Sequence, residues 1–271
     1  MLVTKRDGRK EEFNRGKIIK TCLRAGVSRE IADKIVIEVE RRLYDGITTD
    51  EILKIVIDLL DRYAYRYSAR YDLKASLLRL GPTGYGFEKF TAGLLKKYGY
   101  KTTTNQIIDG RCVTHEVDVI AEKHGRRYLI ECKFHNIPVY TGLKDVMYTY
   151  ARFLDVSEKG GFDSVEFDSV WIFTNTKFSS DAKKFAECRQ IKLTGWRYPE
   201  NEGIESLLEA KNLYPVTVLR LDRETLMEII NYGFVFCKDL IENENVLKKI
   251  AGKKSEKILS EAKEILKLKN I

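Results

Sequence analysis

The sequence predicts a multidomain chain: an α-rich N-terminal domain built from a small hairpin and a helical bundle, a central α/β domain whose mixed sheet is flanked by helices, and a helical C-terminal module. Three observations carry this. Short extended runs on either side of Asp7-Gly8 give way to apolar residues at helical spacing. The middle of the chain alternates helical patterns with strongly apolar strand-like runs, the order of an α/β sheet. The last part is predominantly helical in pattern and rich in Lys and Glu.

In the first segment, residues 2–5 and a second extended run ending near Phe13 form the hairpin. Ile18, Ile19, Cys22 and Leu23 give residues 17–25 an apolar helical face. Ser28 caps a helix over 29–44, which Asp45-Gly46 ends, and Thr48 or Thr49 caps the next, over 50–63. Gly81-Pro82-Thr83-Gly84, followed by Gly86, concentrates helix breakers and marks a boundary. The domains are therefore expected at 1–82, 83–215 and 216–271.

The central segment opens with an amphipathic helix over 87–98, closed by Gly99. Strands are expected at 100–107, 115–122 and 127–134, a helix at 141–154, and a strand at 169–174. A helix then follows Ser179-Ser180, and a short strand covers 191–194. In the third segment Asp222 caps a helix with Leu226, Ile229 and Ile230 on one face. Residues 247–254 lead into a helix over 255–268, an arrangement that resembles a helix-hairpin-helix module lacking its second glycine, or else a helical hairpin packed on another domain.

The 271 residues carry a net charge of +8, a balance that attracts polyanions such as nucleic acid. Hydrophobic residues are 44%, enough to build buried cores, and the 32% of charged residues mix both signs, which argues against disorder. Cys22, Cys112, Cys132, Cys188 and Cys237 form no CxxC pair, so neither a zinc ribbon nor a disulfide framework is expected. No apolar leader and no long apolar run appear, so no membrane span is expected, and the scattered thiols fit a cytoplasmic location.

The most informative residues are Asp118, in Val117-Asp118-Val119-Ile120, and Glu131 and Lys133, in Leu129-Ile130-Glu131-Cys132-Lys133. The twelve residues between Asp118 and Glu131 suffice for a strand end, a turn at 123–126 and the next strand. Antiparallel pairing would bring the two carboxylates together, and Glu131 and Lys133 leave the same face. Two carboxylates are hard ligands for Mg²⁺, the main-chain carbonyl of Cys132 adds an oxygen, and Lys133 can orient a water or meet developing phosphorane charge. The alternative is the polar side of an ordinary hairpin. Against it, Val117, Val119, Leu129 and Ile130 make these strands look buried, where unpaired charge is costly.

Gly86-Phe87-Glu88, Leu94-Leu95, Tyr98-Gly99-Tyr100 and the run EVDVIAEKHGRRYLIECK resemble the Mrr-like branch of the PD-(D/E)XK restriction-endonuclease superfamily, over about residues 85–176. The resemblance implies metal ligation by Asp118 and Glu131, a catalytic Lys133 and an auxiliary acidic role for Glu88. Glu88 also reads as a first-turn carboxylate favouring the helix dipole. His115 and Glu116 replace the small residues many members carry before the Asp; they either tune the site or are plain strand polar residues. His135 either touches the scissile phosphate or is a surface residue.

Val3-Thr4-Lys5-Arg6-Asp7-Gly8, Glu11, Phe13, Asn14, Lys17 and Ile18, continuing through residues 44–52 and 61–70, resemble the ATP-cone, the regulatory domain of ribonucleotide reductases and some transcriptional repressors. The resemblance implies ATP or dATP as bound effector, often with Mg²⁺. Lys5, Arg6 and Lys17 would then meet phosphates, Glu11, Asn14 and Thr49 sugar or base, and Val3 and Ile18 would flank the adenine. No Walker A motif is present, so the nucleotide is expected to switch the protein without being hydrolysed.

The expected function is Mg²⁺- or Mn²⁺-dependent hydrolysis of DNA phosphodiesters, controlled by ATP or dATP. The alternatives are a nucleotide-responsive DNA-binding regulator with a non-cutting nuclease fold, and a first domain that docks protein. DNA and adenine nucleotide are the expected partners; self-association is left open.

Overall fold

The computed structural model describes residues 1–81, 84–137, 139–159 and 166–266. Pro82 and Thr83 of the expected linker, and residues 267–268 of the expected last helix, lie outside the described residues. The chain forms two compact units, one of Met1–Ser76 with Tyr214–Ile271 and one of Leu77–Leu213.

The first unit opens with β1 (Leu2–Thr4) and β2 (Lys10–Glu12), an antiparallel hairpin whose turn uses Gly8 at φ 80°. Helices α1 (Arg15–Arg24), α2 (Arg29–Arg41) and α3 (Thr49–Asp61) follow, each begun by the polar residue its N-terminal amides need. The Asn14 side chain accepts from Lys17 N, Ser28 from Ile31 N, and Thr48 forms a capping box with Glu51. Of the two threonines offered by the sequence, Thr48 is thus the cap and Thr49 the first helical residue. Val3, Ile18, Cys22, Ile35, Val36, Val56 and Leu60 close the core between hairpin and helices. Two short helices, α4 (Tyr65–Tyr71) and α5 (Leu73–Leu78), end this stretch.

The second unit begins inside α5, four residues ahead of the expected linker, because Leu77 and Leu80 are both 1% exposed and Leu80 lies against Gly86. It continues with α6 (Tyr85–Lys97), β3 (Lys101–Asp109), β4 (Thr114–Lys123), β5 (Arg126–Lys133), β6 (Tyr140–Thr141), α7 (Leu143–Ser157), β7 (Ser169–Thr174), β8 (Lys177–Phe178), α8 (Ser180–Cys188), β9 (Lys192–Thr194) and α9 (Ile204–Lys211). Five strands make one mixed sheet in the order β3-β4-β5-β7-β9. The first three are antiparallel neighbours; β5, β7 and β9 run parallel, joined across helices as parallel strands must be. Helix α6 packs on β3, β4 and β5, whereas α7 packs on β7 and α8. Val146, Val170, Ile172, Phe178, Ala182 and Leu193 fill the space between α7, α8 and the sheet.

The chain then returns to the first unit with α10 (Arg223–Tyr232), α11 (Cys237–Glu242), α12 (Glu244–Ala251) and α13 (Ser255–Leu266). The sequence treats this stretch as a third module. In the structure α13 packs on α4, the Tyr65 hydroxyl donates to Val218 O at 2.6 Å, and Arg70 Nη2 donates to Ile265 O at 2.7 Å. Arg220 pairs with Asp61. Between α12 and α13 the turn passes through Gly252 at φ 53°, with Lys254 Nζ 2.8 Å from Asp222. No helix among the described residues is long and apolar enough to cross a membrane.

Gly86 lets α6 close on the preceding chain: a Cβ there would lie 2.1 Å from the main-chain oxygen of Leu80. Gly86→Ala adds helix propensity worth about 1 kcal/mol, but that gain is outweighed by a clash with a backbone atom that cannot swing aside. The expected net loss is about 1–3 kcal/mol, the usual cost of overpacking. Thermal unfolding measures it, and a melting temperature at or above the parent's contradicts it.

Candidate active site

The β4–β5 ladder runs from Lys123 opposite Arg126 to Val119 opposite Ile130. One step further along the strands, the amide of Cys132 donates to Asp118 Oδ2 at 2.6 Å. A side chain has taken the place of the next backbone acceptor, so the two strands part at Asp118. In an extended strand the N–H and C=O of one residue point to the same side. The Cys132 carbonyl is therefore turned toward the same opening. On the other flank, β3 pairs Thr104 with Val119 and Gln106 with Val117, which sets Asn105 across from Asp118. Asn105 adopts φ 52°, a left-handed conformation that asparagine tolerates better than most residues.

Five charged residues meet around this opening. Glu131 is 5% exposed; its Oε1 lies 2.8 Å from Lys133 Nζ and its Oε2 2.5 Å from Arg152 Nη1. Arg152, from α7, also donates to the main-chain oxygen of Glu116. Burial pushes the Asp118 carboxyl up to about 7, helped by the negative charges of Glu131 and Glu88 and opposed by the Cys132 amide. Glu88, from α6, accepts from Asn105 Nδ2 at 2.9 Å. Its carboxyl is raised by burial, and Glu116 and Glu131 add to the rise against the Asn105 hydrogen bond. Burial draws Lys133 downward, but Glu131, Asp145 and Asp118 more than offset it and leave the lysine above its ordinary value.

The donor set suits a hard divalent cation. The Asp118 carboxylate feels the charge of Glu131, the Cys132 carbonyl lies on the side of the amide that Asp118 accepts from, and burial leaves the Asp118 negative charge poorly stabilised. Among the described residues no three or more His, Cys, Asp or Glu side chains form a metal cage. An ion here would therefore keep several waters, as Mg²⁺ does. Cys132 would contribute its oxygen only: its thiol is buried, and burial together with Asp118 holds it far above the usual range.

The neighbouring polar residues have other work. His115 Nε2 lies 2.7 Å from Asp155 Oδ2, and Asp155 also accepts from Cys112 N at 2.8 Å, so this pair ties α7 to the turn before β4. The His135 ring meets Thr141 Oγ1 at 3.0 Å, while Asn175 accepts from its amide at 2.9 Å and donates to its carbonyl at 2.8 Å. Burial lowers the His135 pKa. Sequence reasoning missed Arg152 and Asn105. For Arg152 a signal existed: it stands three residues after Thr149 and four before Val156, both buried, and an arginine on the buried stripe of a helix needs a carboxylate. Nothing in the polar run of β3 singles out Asn105.

The predicted nucleotide residues lie in the first unit. Glu11 bridges Lys5 Nζ at 2.7 Å and Lys17 Nζ at 3.0 Å, and hydrogen bonds from Lys5 and then Lys17 lower its pKa. Arg6 Nε lies 2.6 Å from Asp50 Oδ1 at the start of α3. Thr4 N donates to Ile47 O at 2.9 Å and holds the hairpin against that helix end, where Thr49 sits. Asn14 spends its side-chain oxygen on the α1 cap. Val3 and Ile18, 3% and 6% exposed, belong to the core of the unit.

The raised Asp118 pKa has a consequence for stability. The unfolded chain releases this proton near 3.8 and the folded chain near 7, so between those values the folded state binds more protons and stability falls as pH rises. Asp118→Asn removes the group while keeping an acceptor for the Cys132 amide. In chelator, the variant is expected to be more stable than the parent at pH 8, by about 4 kcal/mol, with the difference gone near pH 4. Parallel melting curves across that window would contradict the assignment.

Three family models match the chain in order: the ATP cone domain over residues 1–73, restriction endonuclease over 81–195, and AF1548-like, C-terminal, over 214–266. A protein of Archaeoglobus fulgidus described as uncharacterized is 56% identical over 178 residues, 65% of this chain and 99% of that protein. A crystal structure described as protein of unknown function AF1548 shares 54% identity with a TM-score of 0.61, covering 68% of this chain and 98% of that one. The transcriptional repressor NrdR of Caldicellulosiruptor saccharolyticus is 41% identical over 70 residues, which span 23% of this chain and 46% of the repressor. The chain belongs to the family of the Archaeoglobus fulgidus protein, and in this chain an ATP cone domain precedes a restriction-endonuclease domain.

Proposed function

We propose that the protein hydrolyses phosphodiester bonds in DNA with Mg²⁺ or Mn²⁺, under the control of ATP or dATP bound at the cone. One observation carries the hydrolytic reading: Asp118 and Glu131 come together where β4 and β5 part, with Lys133 on Glu131. A divalent ion at that opening would supply Lewis acidity to a phosphoryl oxygen and acidify a water. The chain's own groups define the rest. Asp118, Glu131 and the Cys132 carbonyl would hold the ion, and Asp118 does so only once deprotonated, so metal affinity rises through neutral pH. Lys133 is cationic at that pH and would orient the attacking water or meet charge growing on the phosphate. Glu88 stands beside them as a third carboxylate, held by Asn105.

At the cone, Lys5, Arg6 and Lys17 would take the nucleotide phosphates, drawing the two lysines from Glu11 and the arginine from Asp50. Glu11, Asn14 and Thr49 would face sugar or base, with Val3 and Ile18 as the apolar wall behind the adenine. Likeness of this segment to a transcriptional repressor favours a second reading, a nucleotide-responsive DNA binder that does not cut.

A cleavage assay with Mg²⁺ on several forms of DNA separates the two. Asp118→Ala and Glu131→Ala are expected to abolish cutting, and Lys133→Met to slow it by about 10²–10³-fold. Cutting that survives Asp118→Ala sinks the hydrolytic reading; binding without cutting by the parent favours the regulator. In calorimetry on the full chain, ATP or dATP is expected to bind, and Lys5→Ala with Arg6→Ala to weaken it at least about tenfold, since each removes a charge-assisted bond. Unchanged affinity rejects the phosphate assignment, and no heat from the parent favours a docking role for the cone.

A further inference from the structure

Both oxygens of the Glu131 carboxylate are already held by cations, one by Lys133 and one by Arg152. The two cations differ in origin and in tether. Lys133 is on the same strand, two residues away, and moves with Glu131. Arg152 reaches in from α7 and is 11% exposed, and it keeps two other partners: the Glu116 main-chain oxygen, and the Tyr148 ring, 5.7 Å from its guanidinium carbon. An arginine so placed can let go of Glu131 without being left unpaired in a buried site.

We propose that Arg152 is a resident counter-cation that occupies Glu131 in the metal-free protein and competes with the divalent ion for it, so that Arg152 sets the metal concentration at which the site fills. The proposal rests on the metal reading of Asp118 and Glu131 given above. A shared ion needs an oxygen from each carboxylate; both Glu131 oxygens are held, and of the two holders Arg152, on another element, has other partners to fall back on. Filling the site therefore exchanges the Arg152–Glu131 pair for a metal–Glu131 bond, while Arg152 stays nearby on Glu116 and Tyr148. Its remaining positive charge repels the incoming ion, the second reason that it weakens metal binding. Arg152 is on this view a positioning residue: it acts on Glu131 and on the ion's affinity, with no bond made or broken in the reaction.

The test is Mn²⁺ titration of the full-length protein without nucleic acid, followed by electron paramagnetic resonance of free Mn²⁺, for the parent, Arg152→Gln, Arg152→Lys and Asp118→Asn. Arg152→Gln is expected to bind Mn²⁺ about tenfold more tightly than the parent, since a unit positive charge a few ångströms away has gone. Arg152→Lys, which keeps the charge but cannot span Glu131 and the Glu116 carbonyl together, is expected between the two. Asp118→Asn is expected to lose the site. If Arg152 were only a structural brace, both arginine variants would bind Mn²⁺ equally or more weakly while melting lower, and that result overturns the proposal. Should Arg152→Gln fail to fold, Arg152→Lys decides alone: tighter binding supports the competition, equal or weaker binding rejects it. Mn²⁺ binding unaffected by Asp118→Asn, or absent from parent and variants alike, removes the metal reading itself. Loss in Asp118→Asn with no tightening in the arginine variants removes only the role of Arg152.

Discussion

One hydrogen bond organises the second unit's chemistry: the Cys132 amide ends on the Asp118 carboxylate and not on a backbone carbonyl. A regular antiparallel ladder would have continued past Val119 and Ile130, zipping β4 to β5 and satisfying every main-chain group between them. With the side chain as acceptor, the amide is satisfied and the strands are free to diverge. The divergence leaves a main-chain carbonyl and two carboxylates at one gap, enclosed by α6 through Glu88 and by α7 through Arg152. Left-handed Asn105 adjusts the opposite flank of β4 and ties Glu88 to the same place. The opening is thus a consequence of where a ladder stops.

How much the sequence disclosed depends on how local each feature is. The strands around Asp118 and Glu131, the turn at 123–126 and the shared face of Glu131 and Lys133 depend on alternation and spacing, and the structure has them. Caps such as Ser28 and Ser179 are equally local and equally legible. The union of the two chain ends in one unit is not. It rests on Tyr65 reaching Val218 and Arg70 reaching Ile265, contacts between residues more than 150 positions apart that leave no periodic trace. The domain boundary slid into α5 for a similar reason: Gly81 and Pro82 announce a break, but Leu77 and Leu80 are buried and belong to the second unit. Arg152 lies between these cases, since its helix position betrays burial while its partner, 21 residues upstream, does not.

The first unit puts the same physics to a different use. The three cations expected to meet phosphates are paired: Lys5 and Lys17 on Glu11, Arg6 on Asp50. These pairs are exposed, and exposed pairs contribute little to stability. A polyphosphate offers the same cations more negative charge at short range, so exchanging partners costs the fold almost nothing. The carboxylates left behind face water, where they are readily solvated. A hairpin fixed to the start of α3 by backbone bonds from Thr4 and Gly46 can therefore be rigid in its main chain and exchangeable in its side chains.

The second unit cannot work that way, because its charges are buried. Asp118 and Glu131 share one opening, yet their surroundings differ. Glu131 is paired with Lys133 and Arg152, whereas the Asp118 carboxyl, hydrogen-bonded to one amide, is pushed by burial up to about 7. Supplying a third cationic side chain for Asp118 would have closed the gap with a static network, and breaking such a network is costly. Leaving Asp118 short of positive charge does the reverse. With its carboxyl raised to about 7, Asp118 gives up its proton near neutrality, and an incoming cation takes over the place of that proton. The asymmetry between the two carboxylates is what distinguishes this opening from a buried salt-bridge network that serves the fold alone.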